Sequence, residues 1–178
     1  MNEKLFFEML YIEGMPADKI CADLGIDRKK YTELTKKLDL ERADEIRKIR
    51  RIRSLYHNKK KKNFDFPNFN SFYKWHEQQW KEQEGKCYYC HTDEHVIATL
   101  LEKKYSHRKR LNRGRYLEVE RKDATSNKYN SQNCVLACYF CNNDKSDIFN
   151  EGEYRAYLQN RKAFLNAQFE QLPEDDRQ

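Results

Sequence analysis

Apolar side chains recur at helical spacing from the start of the chain. Leu5, Phe6, Met9 and Leu10 predict a helix that Gly14-Met15-Pro16 ends. A second helix over 17–24 turns Ile20, Cys21 and Leu24 inward. Gly25-Ile26 then reads as a tight turn, and Asp27 as the cap of a third helix carrying Tyr31, Leu34 and Leu38. Helix, glycine turn, helix is the helix-turn-helix pattern. Residues 1–40 are therefore expected to form a recognition unit with Arg28, Lys29, Lys30 and Thr32 at its leading edge. A three-helix packing or dimerisation module would leave the same pattern.

Over 41–85 the pattern changes. Ile46, Ile49, Ile52 and Leu55 draw one apolar edge along a segment whose other positions are cationic. Arg47, Lys48, Arg50, Arg51, Arg53 and Lys59 to Lys62 make nine basic residues with no acid, which points to a polyanionic partner. Phe64, Phe66, Phe69, Phe72, Trp75 and Trp80 follow, read as a loop entering a helix whose aromatics pack in a core. Residues 86–150 form the body. Over 151–178 a single helix from Glu151 to Glu170 is expected to bury Tyr154, Tyr157, Leu158, Leu165 and Phe169, with a frayed acidic tail after Pro173.

Composition narrows the class. The chain has 178 residues, 38% hydrophobic and 36% charged, so its core is lean, while 13% aromatics argue against disorder. Lys and Arg number 35 against 29 Asp and Glu, a net +6 whose distribution matters more than its total. No stretch reaches the roughly 18 apolar residues of a membrane span. The charged start does not read as a signal peptide. A cytoplasmic chain without disulfides is expected, its six cysteines being metal ligands or core thiols.

Cys87-Tyr88-Tyr89-Cys90 and Cys138-Tyr139-Phe140-Cys141 are two CxxC pairs, each offering two sulfurs from one turn. Four thiolates satisfy a structural Zn2+ completely and leave no position open for chemistry. Cys90 and Cys138 lie 48 positions apart, so zinc would clamp the ends of an inserted subdomain. Cys21 and Cys134 are left as buried core thiols, and His91 and His95 as surface residues or DNA contacts.

Between and after the pairs run Leu117-Glu118-Val119-Glu120-Arg121-Lys122-Asp123, then Tyr129, then Asn133-Cys134-Val135-Leu136-Ala137-Cys138-Tyr139-Phe140-Cys141-Asn142-Asn143-Asp144-Lys145. This resembles the HNH or ββα-metal nucleases, in which a strand ends in Asp-His, an Asn opens a second strand, and C-x-x-C-(N/H)-x-x-K leads into a helix. The resemblance covers about 86–149. It places Glu120 on the family's metal-binding acid, Arg121 on its general-base His, Asn133 on its central Asn and Asn142 on its last metal ligand. Glu for Asp lengthens the reach by one methylene. Arg for His removes the base, because a guanidinium has no acceptor lone pair.

The resemblance implies an α+β ββα-metal core stapled by the four-cysteine site, with Mg2+ or Mn2+ held by Glu120 and Asn142. Arg121 would grip a phosphate oxygen, Asp123 would aim it, and Lys145 would touch the same phosphate. A subset of restriction enzymes resembles this chain in pairing an acid with Arg and using a Tyr of the inter-strand loop, which makes Tyr129 the expected nucleophile or base. A phenol near pKa 10 needs a neighbouring cation for that role; failing it, His107, His91 or His57 are the next bases. Between Lys103 and Arg115 lie seven basic residues and no acid, Arg108, Arg110, Arg113 and Arg115 among them, a basic loop leading into the first strand.

The sequence thus reads as a zinc-containing, metal-dependent endonuclease of restriction type. Its expected partners are double-stranded DNA and a second copy of itself. A phage or homing-type nuclease carries the same signals. A non-catalytic DNA-binding regulator with a decayed site is the rival from another class, and charge alone leaves RNA open.

Overall fold

The computed structural model describes residues 2–60, 64–107, 113–158 and 161–177, without the side chain of Lys162. The chain divides into two compact units: 1–62 with 66–75, and 63–65 with 76–178. Residues 1–40 are thus grouped with the basic helix that follows them.

In the first unit, helix α1 (Glu3–Phe7) starts where Asn2 Oδ1 accepts the Leu5 N–H, and it runs on as a π-helical turn to Glu13. Gly14 ends it in the left-handed conformation, φ 69°. Helix α2 (Ala17–Leu24) stops at left-handed Gly25. Asp27 then caps α3 (Arg28–Glu41), its carboxylate accepting the Lys30 N–H at 2.7 Å, as the pattern predicts. Helix α4 (Ala43–Lys60) follows at once. Phe6, Ile20, Leu34, Leu38, Ile46, Ile49 and Ile52 fill this core. Tyr56, rather than Leu55, completes the buried edge of α4, meeting Phe69 and Phe72. Cys21 is only half-buried, a correction to its reading as a core thiol, because it lies on the flank of α2 beside Ile20.

Helix α5 (Phe69–Glu82) leads into the second unit. There α6 (Glu94–Thr99) continues as a π-helical turn to Lys104. Strands β1 (Glu118–Arg121) and β2 (Cys134–Ala137) pair antiparallel, with Glu118 opposite Ala137 and Arg121 opposite Cys134. Helix α7 (Tyr139–Lys145) follows β2 directly, completing the α+β core of hairpin and helix.

The C-terminal segment corrects the expectation of one helix. It forms α8 (Glu151–Tyr157), begun by a reciprocal capping box between Asn150 and Glu153, and a separate α9 (Arg161–Glu170). Tyr154 and Leu165 are buried, but Tyr157 is 61% exposed, because the interruption at Leu158 releases it from the face that Tyr154 occupies. The tail is not frayed either: Glu174–Asp176 forms a 3-10 turn, and Asp176 pairs with Lys103 at 2.7 Å. Among the described residues no helix is long and apolar enough to cross a membrane.

Candidate active site

The four cysteine sulfurs, all buried, lie within 4.8 Å of one another. Four ligands at about 2.3 Å from a tetrahedral Zn2+ stand about 3.8 Å apart, and Cys90 Sγ and Cys138 Sγ are 3.9 Å apart. Backbone N–H groups already serve the sulfurs, Cys138 donating to Cys87 Sγ at 3.2 Å and Cys141 to Cys138 Sγ at 3.4 Å. Hydrogen bonds from the Cys138 and Cys141 thiols hold Cys90 well below an ordinary thiol, while bonding to Cys141, Cys87 and Cys90 pushes Cys138 up. Four such sulfurs can be thiolates together only around a cation, so Cys87, Cys90, Cys138 and Cys141 fit zinc.

Gln83 ties this knuckle to the sheet, and sequence reasoning missed it. Its amide acts as a strand partner for β2, Nε2 donating to Leu136 O at 2.7 Å and Oε1 accepting Leu136 N at 3.1 Å. Only its place just before the first CxxC hinted at this. His91 and His95 are exposed.

Glu118 and Glu120 share one face of β1, because strand side chains alternate. Both reach α7, one helical turn apart. Glu120 is 5% exposed and pairs with Lys145 Nζ at 3.3 Å, and Lys145 is fully buried. Glu118 accepts a hydrogen bond from Asn142 Nδ2 and pairs with Arg113. The sequence expectation set Asn142 beside Glu120; the structure bonds it to Glu118 instead. Lys145, expected to touch the phosphate, is instead held out of solvent against Glu120. Glu118, Glu120 and Asn142 nonetheless all bond across the β1–α7 junction, and two carboxylates and an amide are by chemistry a hard-cation donor set, so the residues fit Mg2+ or Mn2+.

On the hairpin loop, the Arg121 guanidinium lies 5.0 Å over the Tyr129 ring. Its Nη1 donates to Asn127 Oδ1 and to Ala124 O, while its buried Nε has no hydrogen-bond partner among the described residues. Asp123 does not aim Arg121 as expected. Its carboxylate accepts Thr125 N at 2.9 Å and Thr125 Oγ1 at 2.6 Å, bonds that hold it below the usual carboxylate range. Tyr129 is 4% exposed, and its carbonyl accepts Asp65 N at 2.8 Å. Asn133 pins the loop: Oδ1 accepts Asp123 N, and Nδ2 donates to Asp123 O, Lys128 O and Ser126 Oγ at 2.9–3.0 Å.

Of the expected DNA contacts, Arg28 pairs with Asp18, Lys30 with Glu33, Arg47 with Asp44 and Arg50 with Asp39, all at exposed positions. Lys29, Lys60 and Arg115 are exposed, and Arg51 and Lys59 half-buried. Arg113 is turned onto Glu118 and lies 5.4 Å over Tyr139. Arg108 and Arg110 lie outside the described residues.

An antiparallel hairpin, an Asn-pinned loop and a helix opened by a four-cysteine cluster define a zinc-competent ββα unit. Among solved structures the chain is similar to the rare-cutting HNH restriction endonuclease PacI, at 28% identity over 65% of this chain and 74% of that chain, with a TM-score of 0.48. No family model matches the sequence. No curated protein matches it either.

Proposed function

We propose that this chain is a metal-dependent, site-specific endonuclease of restriction type acting on double-stranded DNA, with Tyr129 as nucleophile or base. The observation that carries the reading is the stack of Arg121 on Tyr129, one strand position from the buried Glu120. Phosphodiester hydrolysis needs an attacking oxygen, charge stabilisation at the phosphate and help for the leaving 3′ oxygen. Arg121 grips a phosphate oxygen. Tyr129 Oη, beneath the Arg121 guanidinium, either attacks phosphorus and expels the 3′ oxygen, leaving a phosphotyrosyl ester that water then opens, or takes the proton of a water that attacks in its place. Glu120 and Asn142 would hold Mg2+ or Mn2+, which supplies charge neutralisation at the phosphate when bound. Cys87, Cys90, Cys138 and Cys141 hold structural zinc.

Residues 1–40 and the basic helix α4 serve as the DNA-recognition part, and the sequence segment before β1 that carries Arg108, Arg110, Arg113 and Arg115 supplies further DNA contacts. Cutting both strands takes two sites, hence a homodimer. One observation favours a non-catalytic DNA-binding regulator instead: Lys145 already neutralises Glu120.

Purified protein incubated with plasmid and phage DNA, with Mg2+ and with EDTA, separates the readings. Mg2+-dependent ends at a short repeated sequence support the restriction nuclease. Ends at one long site point to a homing-type enzyme, and a smear to non-specific cutting. Intact DNA that shifts on a gel overturns the nuclease in favour of the regulator.

A further inference from the structure

Glu118 is absent from the ligand pattern that the motif suggests, yet it is the residue to which Asn142 is bonded. Arg113 grips its carboxylate with two donors, Nε on Oε1 at 3.1 Å and Nη2 on Oε2 at 2.5 Å, and the side chain is 14% exposed. Glu118 is therefore fixed by an arginine that itself rests on α7, lying over the Tyr139 ring and donating to Asn143 Oδ1 at 3.4 Å. A carboxylate in an arginine fork can only accept hydrogen bonds, so the amide facing it must present Nδ2. That choice commits the amide's other arm, Oδ1, away from Glu118. Only the oxygen can ligate a hard cation.

We propose that Glu118 is a positioning residue for the catalytic metal: held by Arg113, it takes the Asn142 N–H2 and so presents Asn142 Oδ1 as the ligand atom. The inference rests on the nuclease reading. Arg113 belongs to the basic segment that leads into β1, which ties the orientation of a metal ligand to the arm expected to meet DNA. Partners that orient metal ligands are worth 10–100-fold in metal affinity.

The decisive variant is Glu118→Gln, which keeps the size of the side chain. The Arg113 donors claim its one oxygen, its amide nitrogen turns to Asn142, and Asn142 Oδ1 is drawn to that nitrogen and away from the metal. The measurement is Mn2+ binding by electron paramagnetic resonance on the full-length, zinc-loaded protein without DNA, with zinc content and melting temperature followed in parallel. The Mn2+ dissociation constant is expected to rise about 10–100-fold in Glu118→Gln with zinc retained. Asn142→Ala is expected to do the same, and Glu118→Gln to add nothing in that background. Wild-type Mn2+ affinity in Glu118→Gln, or a full further loss in the double variant, overturns the positioning role while the nuclease reading stands. A wild-type protein that binds no Mn2+ beside its zinc removes both.

Discussion

Asn133 clasps Asp123 across the inter-strand loop, accepting its N–H at 2.8 Å and donating to its carbonyl at 2.9 Å. The same side chain donates to Lys128 O at 2.9 Å, one residue before Tyr129. The Asn that opens β2 thus acts as the loop's scaffold and sets where Tyr129 sits. Asn133→Ala removes these bonds and is expected to cost about 2 kcal/mol. Asn133→Asp sets a carboxylate against two carbonyls and is expected to cost at least as much. Urea denaturation reads both, and an unchanged midpoint for Asn133→Ala would show that the loop holds itself.

Tyr129→Phe keeps the ring under Arg121 and removes only the hydroxyl. Loss of DNA cleavage is expected, with zinc content and DNA binding unchanged. Arg121→Lys keeps the charge but gives up the planar face over Tyr129 and is expected to lose most of the activity. Wild-type cleavage by Tyr129→Phe would remove the phenol from the mechanism and pass the base to His107, His91 or His57.

The parts of this structure that could be read from the sequence are the local ones. A CxxC spacing fixes two sulfurs within one turn, and Asp27 caps α3 from the neighbouring residue, so both could be read without knowing the fold. What stayed hidden depends on which strand residue meets which helix residue. Lys145 looks like an exposed helix lysine until the strand carrying Glu120 is laid beside it. Glu118 and Glu120 differ in sequence only by two positions on one strand face, so nothing local tells which faces Asn142. Gln83 pairs with a residue 53 positions away. The break between α8 and α9 escaped because Tyr157 and Leu158 continue the apolar spacing through it.

Glu151 makes stability depend on pH. It accepts Tyr88 Oη at 2.7 Å and Arg155 Nε at 3.0 Å. Burial alone would raise its pKa, but these bonds outweigh it and hold the carboxyl below the ordinary glutamate range. A depressed folded pKa means that the unfolded chain binds the proton more tightly. The contribution is therefore present above the ordinary glutamate pKa and is lost as pH falls through the folded value. Glu151→Gln is expected to lower the melting temperature at neutral pH, with the gap to wild type closing in acid. A gap that persists unchanged through the acid range, as pH falls below the folded value, would assign the effect to packing instead.

Zinc removal tests the frame that carries the site. The two CxxC pairs join the turn before α6 to the start of α7, and binding energy of about 10 kcal/mol at such a site is folding energy. Chelation, or Cys90→Ser, is expected to expose the backbone of the second unit to rapid hydrogen exchange, β1 and β2 first among its elements, because β2 runs straight into Cys138. Residues 1–60 have their own apolar core of Phe6, Ile20, Leu34 and Ile49, and their protection is expected to persist. Zinc release should also rise as pH falls, since each thiolate must take up a proton to let the metal go. A chelated protein with undiminished protection in β1 and β2 would mean that the hairpin and α7 hold together without metal, and that the cluster is an ornament on a core already closed by Val119, Leu136 and Ala137.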